Sequence, residues 1–251
     1  MKNLLVSDMT HFEERLPAIK QAGTGIEIQS FFLSIALDNS QVMLESHKAA
    51  LSDFSGEKCL HGPFVGLMPG CMDAQIKQVT AKRMAQALFV AQELGCSRMV
   101  AHFGMNCKAQ RRWDYVDRSA EFWTDFAKIC PEGFSVHVEN VYDDRPDDIL
   151  SLNRKLENTK IGITLDIGHA NIFSKIPVWE WIEAYGNRLT HVHLHDNNGE
   201  EDEHLPLGQG SIDLDRVITA LEKHAPMAVW SIEAEPATSL AWLKSRGIWA
   251  G

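Results

Sequence analysis

Eight times along the chain a short apolar run gives way to a helical segment, with only short connections between them. The expected strands are Asn3 to Val6, Ile26 to Gln29, Lys58 to His61, Ser97 to His102, Phe134 to Glu139, Lys160 to Asp166, a seventh opening at Arg188, and Ala228 to Glu233. Helices are expected from a Thr10 cap to about Gln21, over Ser40 to Leu51, through Ile76 and Val90 to a stop at Gly95, and over Arg111 to Ile129. Further helices are expected over Asp147 to Leu156, from Pro177, over Leu214 to Lys223, and from about Thr238 to Lys244. Strand–helix alternation predicts a parallel sheet with helices outside it, because each parallel connection must cross back over the sheet. Eight such units in 251 residues close most naturally as a barrel, which typically needs about 250. The expectation is an α/β chain, a (β/α)8 TIM barrel forming a single domain over residues 1–251.

The chain's own length leaves little for a second domain, and no apolar run approaches the roughly 18 residues of a membrane span. Acidic residues outnumber basic ones 34 to 24, a formal charge of −10. Such a field repels phosphate backbones, so nucleic acid is a disfavoured partner and a small molecule the favoured one. The five cysteines are odd in number and contain no C-x-x-C pair. With no signal-like leader read at Met1 to Met9, that pattern predicts reduced thiols and a cytoplasmic location.

The densest chemistry lies between Arg188 and Asp213, RLTHVHLHDNNGEEDEHLPLGQGSID. His191, His193 and His195 alternate with Val192 and Leu194, so a strand puts all three imidazoles on one face. Asp196 follows, then a polar loop with Asp202 and His204, then Gly208 and Gly210. Imidazole and carboxylate are the ligands that zinc, manganese and related divalent ions take. Position strengthens the reading. His61, His102, Glu139, Asp166, His193 and Glu233 all fall at or beside the carboxyl end of an expected strand, and in a parallel barrel those ends meet at one face. Asp202 and His204 could fold over that face, and His169 lies three residues beyond Asp166. Glu27 has a similar strand placement, with a structural acid as its competing role.

These residues resemble the xylose isomerase-like TIM barrel superfamily, which includes sugar and sugar-phosphate isomerases and epimerases together with endonuclease IV, of AP endonuclease family 2. The resemblance runs from Glu27 to Glu235 and is most specific at His193-Leu194-His195-Asp196 and at Asp202 through Gly210. It implies Glu139, Asp166, His193 and Glu233 as ligands of one divalent ion, zinc or manganese. It implies His61, His102, His169, Asp202 and His204 as the further ligands with which endonuclease IV holds three zincs. Phe103 departs from the proline usual after the strand-four histidine in the DNA enzyme.

The favoured expectation is a metal-dependent isomerase or epimerase acting on a small sugar or sugar phosphate. Glu139 and Glu233 would pass a proton and His169 would orient a hydroxyl, with one to three ions as cofactor. Glu27, His195, Phe64 and Trp113 are the expected substrate contacts. The alternative is a zinc phosphodiesterase acting on abasic DNA or another phosphoester. Oligomeric state is not readable from the sequence.

Overall fold

Eight parallel strands pair in chain order and the last returns to the first, closing the barrel. The structure, a computed structural model, describes residues 3–250. The first half runs β1 (Leu4–Ser7), α1 (Phe12–Ala22), β2 (Gly25–Ile28), α2 (Ser34–Asp38), α3 (Ser40–Ala50), β3 (Lys58–His61), α4 (Ala74–Glu93), β4 (Arg98–His102) and α5 (Arg112–Ile129). The second runs β5 (Ser135–Glu139), α6 (Asp147–Lys155), β6 (Ile161–Asp166), α7 (Ile167–Phe173), α8 (Val178–Tyr185), β7 (Leu189–Leu194), α9 (Leu214–His224), β8 (Val229–Ile232) and α10 (Pro236–Ser245). The expected (β/α)8 TIM barrel is what forms.

Period-two alternation divides the strand residues between two environments. One set, including Val6, Ile26, Leu60, Met99, Val136, Ile163, Val192 and Ile232, joins the helices in the main core. The other set faces the lumen, where Leu5, Cys59, Val100 and Val229 form a small separate apolar cluster. Helix α9 shows the matching helical stripe, burying Leu214, Val217, Ile218 and Leu221. Each such aliphatic side chain contributes about 1.5–3 kcal/mol when fully buried.

Local details depart from the expectations at several points along the chain. Thr10 does not cap α1. Asp8 accepts the Thr10 amide, the Gln29 amide and the Ser30 hydroxyl. The chain at Met9 and Thr10 is turned to positive φ, 42° and 67°, and His11 takes the cap position without a side-chain bond. Helix α7 was not expected. It starts directly at the end of β6, with Asp166 Oδ1 accepting the His169 amide as its cap. Pro177 stands one residue ahead of α8, at its cap. In β7, Ile163 pairs with Leu189 and Thr164 with His191, so Thr190 is an extra residue, bonded through Oγ1 to both backbone groups of Ile163. Bulges of this kind re-aim the side chains that follow.

All five cysteines are free. Among the described residues no helix is long and apolar enough to cross a membrane.

Asp143, in the connection after β5, generates a pH prediction. It is buried, its Oδ2 accepts the Val141 amide and its Oδ1 has no partner. Burial, reinforced by Asp148 and Asp144 against Val141 and Arg112, pushes this carboxyl up to about 7 from 3.8. The folded chain therefore holds the proton more tightly than the unfolded one, and stability is lost as pH rises from about 4 to about 7. Asp143→Asn should gain Tm relative to the wild type across that window and level off above it. A Tm difference that stays flat across the window would contradict the assignment.

Candidate metal centre

His193 stands at the middle of the barrel mouth. Its Nδ1 lies 3.4 Å from Glu139 Oε1, 3.4 Å from Glu233 Oε2 and 3.7 Å from Asp166 Oδ2. None of these is a hydrogen bond, and Nδ1 is buried without a partner. β5, β6 and β7 deliver Glu139, Asp166 and His193, while Glu233 follows β8 directly. Neighbours keep them in place. Asn140 Nδ2 donates to the Asp166 carbonyl and its Oδ1 accepts the Asp166 amide, locking the end of β6 to β5. Gln29 Nε2 donates to Glu233 Oε1.

Two further sets adjoin this one. Glu139 Oε2 lies 3.3 Å from His61 Nε2 and 3.4 Å from His102 Nε2, again without a hydrogen bond. On the other side are His195, Asp202 and His204, with the His195 and His204 rings stacked at 4.0 Å. Within Glu139, Asp166 and His193, within His61, His102 and Glu139, and within His195, Asp202 and His204, one ligand atom per residue lies within 4.8 Å of the others, while Glu233 groups in the same way with Glu27, His61 and His193. His169 bridges them: its Nδ1 donates to the Asn140 carbonyl, and its Nε2 is 3.3 Å from Asp202 Oδ2.

The loop after β7 is held for this purpose. Asp196 and Leu205 exchange both backbone hydrogen bonds at 2.8 Å, closing residues 197–204 into a hairpin. The buried Asp196 carboxylate accepts the amides of Asn197, Gly208 and Ile212. Asp196 is thus a clamp rather than a ligand. His204 is carried at φ +48°, with Nδ1 donating to the Glu233 carbonyl. A non-glycine residue in this region stores strain, which functional sites characteristically retain.

Electrostatics follow from burial in a dense ring of charge. Burial pushes Glu139 and Asp166 up, but the surrounding imidazoles outweigh it and hold both well below the usual carboxylate range. Glu233 stays above its ordinary value, since burial and the Glu27 charge prevail over His193. Burial drives His102 down to about 3 despite Glu139. For His204 the bond to Asp202 and the charge of Glu233 overcome burial, lifting it to about 9.

The donor set fits a divalent cation. Glu139 Oε2, beside His61 and His102, and His193 Nδ1, beside Glu139 Oε1, Asp166 and Glu233, are buried without hydrogen-bond partners. Clustered carboxylates here need a counter-charge that a cation supplies, and imidazole with carboxylate is the chemistry of zinc and manganese sites. The mouth above is a cavity of about 530 Å³ lined by Phe64, Tyr142, Met68, His102, His169 and Asp202 among others. Phe64 stacks on His102 at 4.2 Å. A larger groove, about 1000 Å³, runs along α1 and α3 and holds none of these strand-end residues.

The expected substrate contacts divide. Phe64 lines the mouth. Glu27 and His195 have no exposed surface and are not among the residues that line the mouth. Glu27 lies beneath, bonded to His191 and His193, and His195 belongs with Asp202 and His204. Trp113 is 66 % exposed on α5 and is not among the lining residues. Gln29, Asn140 and Tyr142 were not singled out from the sequence. Asn140 had a signal, as the polar residue directly after a strand-end glutamate; the other two had none.

The model of the xylose isomerase-like TIM barrel family matches residues 16–246, and the chain belongs to that family. The uncharacterized protein MJ1311 of Methanocaldococcus jannaschii is 29 % identical over 187 residues, covering 70 % of this chain and 64 % of that relative's own length. Among solved structures, the TTHB071 protein from Thermus thermophilus, soaked with ZnCl2, superposes with a TM-score of 0.81 at 24 % identity, covering 97 % of each chain. A D-tagatose 3-epimerase-like protein gives 0.80 at 24 % identity, covering 99 % of this chain and 98 % of its own. At these identities the likeness establishes the fold.

A tight approach provides a test. A Cβ on Gly168 would sit 2.0 Å from His195 Cε1, so α7 can pass beneath His195 only as glycine. Gly168→Ala should destabilise by about 1–3 kcal/mol, as overpacking in a filled interior does. The urea midpoint measures this, and an unchanged midpoint would show that His195 is not held against α7.

Proposed function

We propose that this chain is a divalent-metal-dependent isomerase or epimerase of small sugars or sugar phosphates. The observation that carries the reading is His193 Nδ1 facing Glu139, Asp166 and Glu233, unbonded, with Glu139 and Glu233 themselves lining the cavity. Cavities of about 300–1,000 Å³ are typical of small-ligand sites. None of the described residues lining this one is lysine or arginine, which disfavours a polyanionic backbone as substrate.

Glu139, Asp166, His193 and Glu233 would hold the ion, which as a Lewis acid would make the carbon-bound proton beside a coordinated carbonyl more acidic. Glu139 and Glu233 flank His193 and differ in proton affinity, one held low and the other raised. Such a split suits a pair in which one carboxylate takes a proton and the other returns it. His169 Nε2 at the edge of the mouth would orient a substrate hydroxyl, with Phe64 and Tyr142 as walls. The epimerase-like structural neighbour supports this class of reaction.

A phosphoester hydrolase is the second reading. It is favoured by the two flanking sets, His61 with His102 and His195 with Asp202 and His204, which a one-ion epimerase does not require.

Glu139→Gln should lower turnover by about 10²–10⁴-fold, the usual loss when a positioned acid–base group is removed. The measurement is solvent deuterium exchange at the carbon beside a ketose carbonyl, and undiminished exchange would remove Glu139 from the chemistry. His204→Ala separates the classes. Ketose exchange should survive it, whereas collapse of phosphodiester cleavage with no ketose exchange in the wild type would establish the hydrolase.

A further inference from the structure

Barrel interiors are ordinarily filled by branched aliphatic side chains in layers. Among the described residues the lumen's apolar cluster is Leu5, Cys59, Val100 and Val229, while Glu27, His137, Thr164, His191 and Ser231 are buried on β2, β5, β6, β7 and β8. Polar groups so deep are costly unless bonded. Glu27, which has no exposed surface, is bonded at both carboxylate oxygens. Its Oε1 is 3.0 Å from His193 Nε2 and its Oε2 is 3.0 Å from His191 Nε2. The two rings stand perpendicular, centroids 5.3 Å apart, so each meets a different oxygen.

A carboxylate in this role only accepts, so both rings must offer Nε2–H. Nδ1 of His193 makes no hydrogen bond; three carboxylates stand 3.4–3.7 Å away, leaving room for a cation between them and the ring. His191 has an unbonded Nδ1 as well, but no set at the mouth includes it.

We infer that Glu27 and His191 are positioning residues for His193: Glu27 fixes the Nε2–H tautomer, leaving Nδ1 bare toward Glu139, Asp166 and Glu233, and His191 keeps the Glu27 carboxylate from rotating away by holding its second oxygen. This rests on the reading of the mouth as a cation site and adds what sets its central nitrogen. Partners of this kind orient a ligand imidazole and raise its donor strength. Glutamine at position 27 would keep the volume but bring one acceptor and one donor, so one of the two rings would have to change tautomer.

The test uses the full chain with nitrogen-15-labelled histidine and no substrate. Long-range proton–nitrogen spectra of the zinc-loaded protein should show His193 and His191 as Nε2–H tautomers. In Glu27→Gln one of them should switch, and the zinc Kd from competition with a chromophoric chelator should rise about 10–100-fold with an unchanged circular dichroism spectrum. Should Glu27→Gln not fold, His191 provides the same comparison. His191→Gln, whose amide can still donate to Glu27, should keep zinc affinity near the wild type, and His191→Leu should lose it. A His193 protonated on Nδ1 in the zinc-loaded wild type, a wild type that takes up no zinc, folded Glu27→Gln with wild-type Kd, or equal affinities in the two His191 variants would each overturn the inference. Because no substrate is involved, a chain that passes these tests yet exchanges no ketose proton would sink the isomerase reading alone.

Discussion

Four carboxylates, Glu27, Glu139, Asp166 and Glu233, are buried at one end of the barrel, none more than 3 % exposed. Carboxylates so placed persist only with counter-charge and hydrogen bonds close by. Much of the mouth's construction answers that demand. Imidazoles from β3, β4 and β7, with His169 from α7 and His204 from the loop after β7, surround the acids and hold Glu139 and Asp166 ionised. A cation among the same donors would take over that role.

The barrel makes this convergence possible at little cost to the core. Residues that face outward from the strands join the main apolar cluster with the helices, so most of the apolar burial lies outside the lumen. The polar side chains occupy the alternate positions, where the carboxyl ends of parallel strands bring them together. Precision comes from parts outside the donor set: Asn140 bracing the end of β6, Asp196 gathering three amides, Gly168 making room for His195, and Glu27 beneath His193.

The architecture was readable in the sequence because strand and helix periodicities differ and alternate without interruption. Strand ends were readable too, since His61, His102, Glu139 and Asp166 each close an apolar run. Roles were harder. His191, His193 and His195 look equivalent in the sequence, yet one lies beneath the mouth, one at its centre and one beside Asp202 and His204, because the chain leaves the strand after Leu194. Glu27 read as a substrate contact, with a structural acid as the competing role, because depth along the lumen depends on the stagger between strands, which local pattern does not encode. Helix α7 was hidden because its cap, Asp166, is also a site carboxylate and its first turn contains a glycine. Thr10 read as a cap because the competing grip of Asp8 comes partly from residues 29 and 30.

Diffraction at the zinc absorption edge, on crystals of the full chain soaked in zinc, tests the central claim most directly. An anomalous peak about 2.0–2.1 Å from His193 Nδ1, the usual zinc–imidazole distance, and bonded also to Glu139, Asp166 and Glu233, is the predicted result. Peaks confined to surface histidines, with His193 Nδ1 instead hydrogen-bonded to a carboxylate, would contradict it.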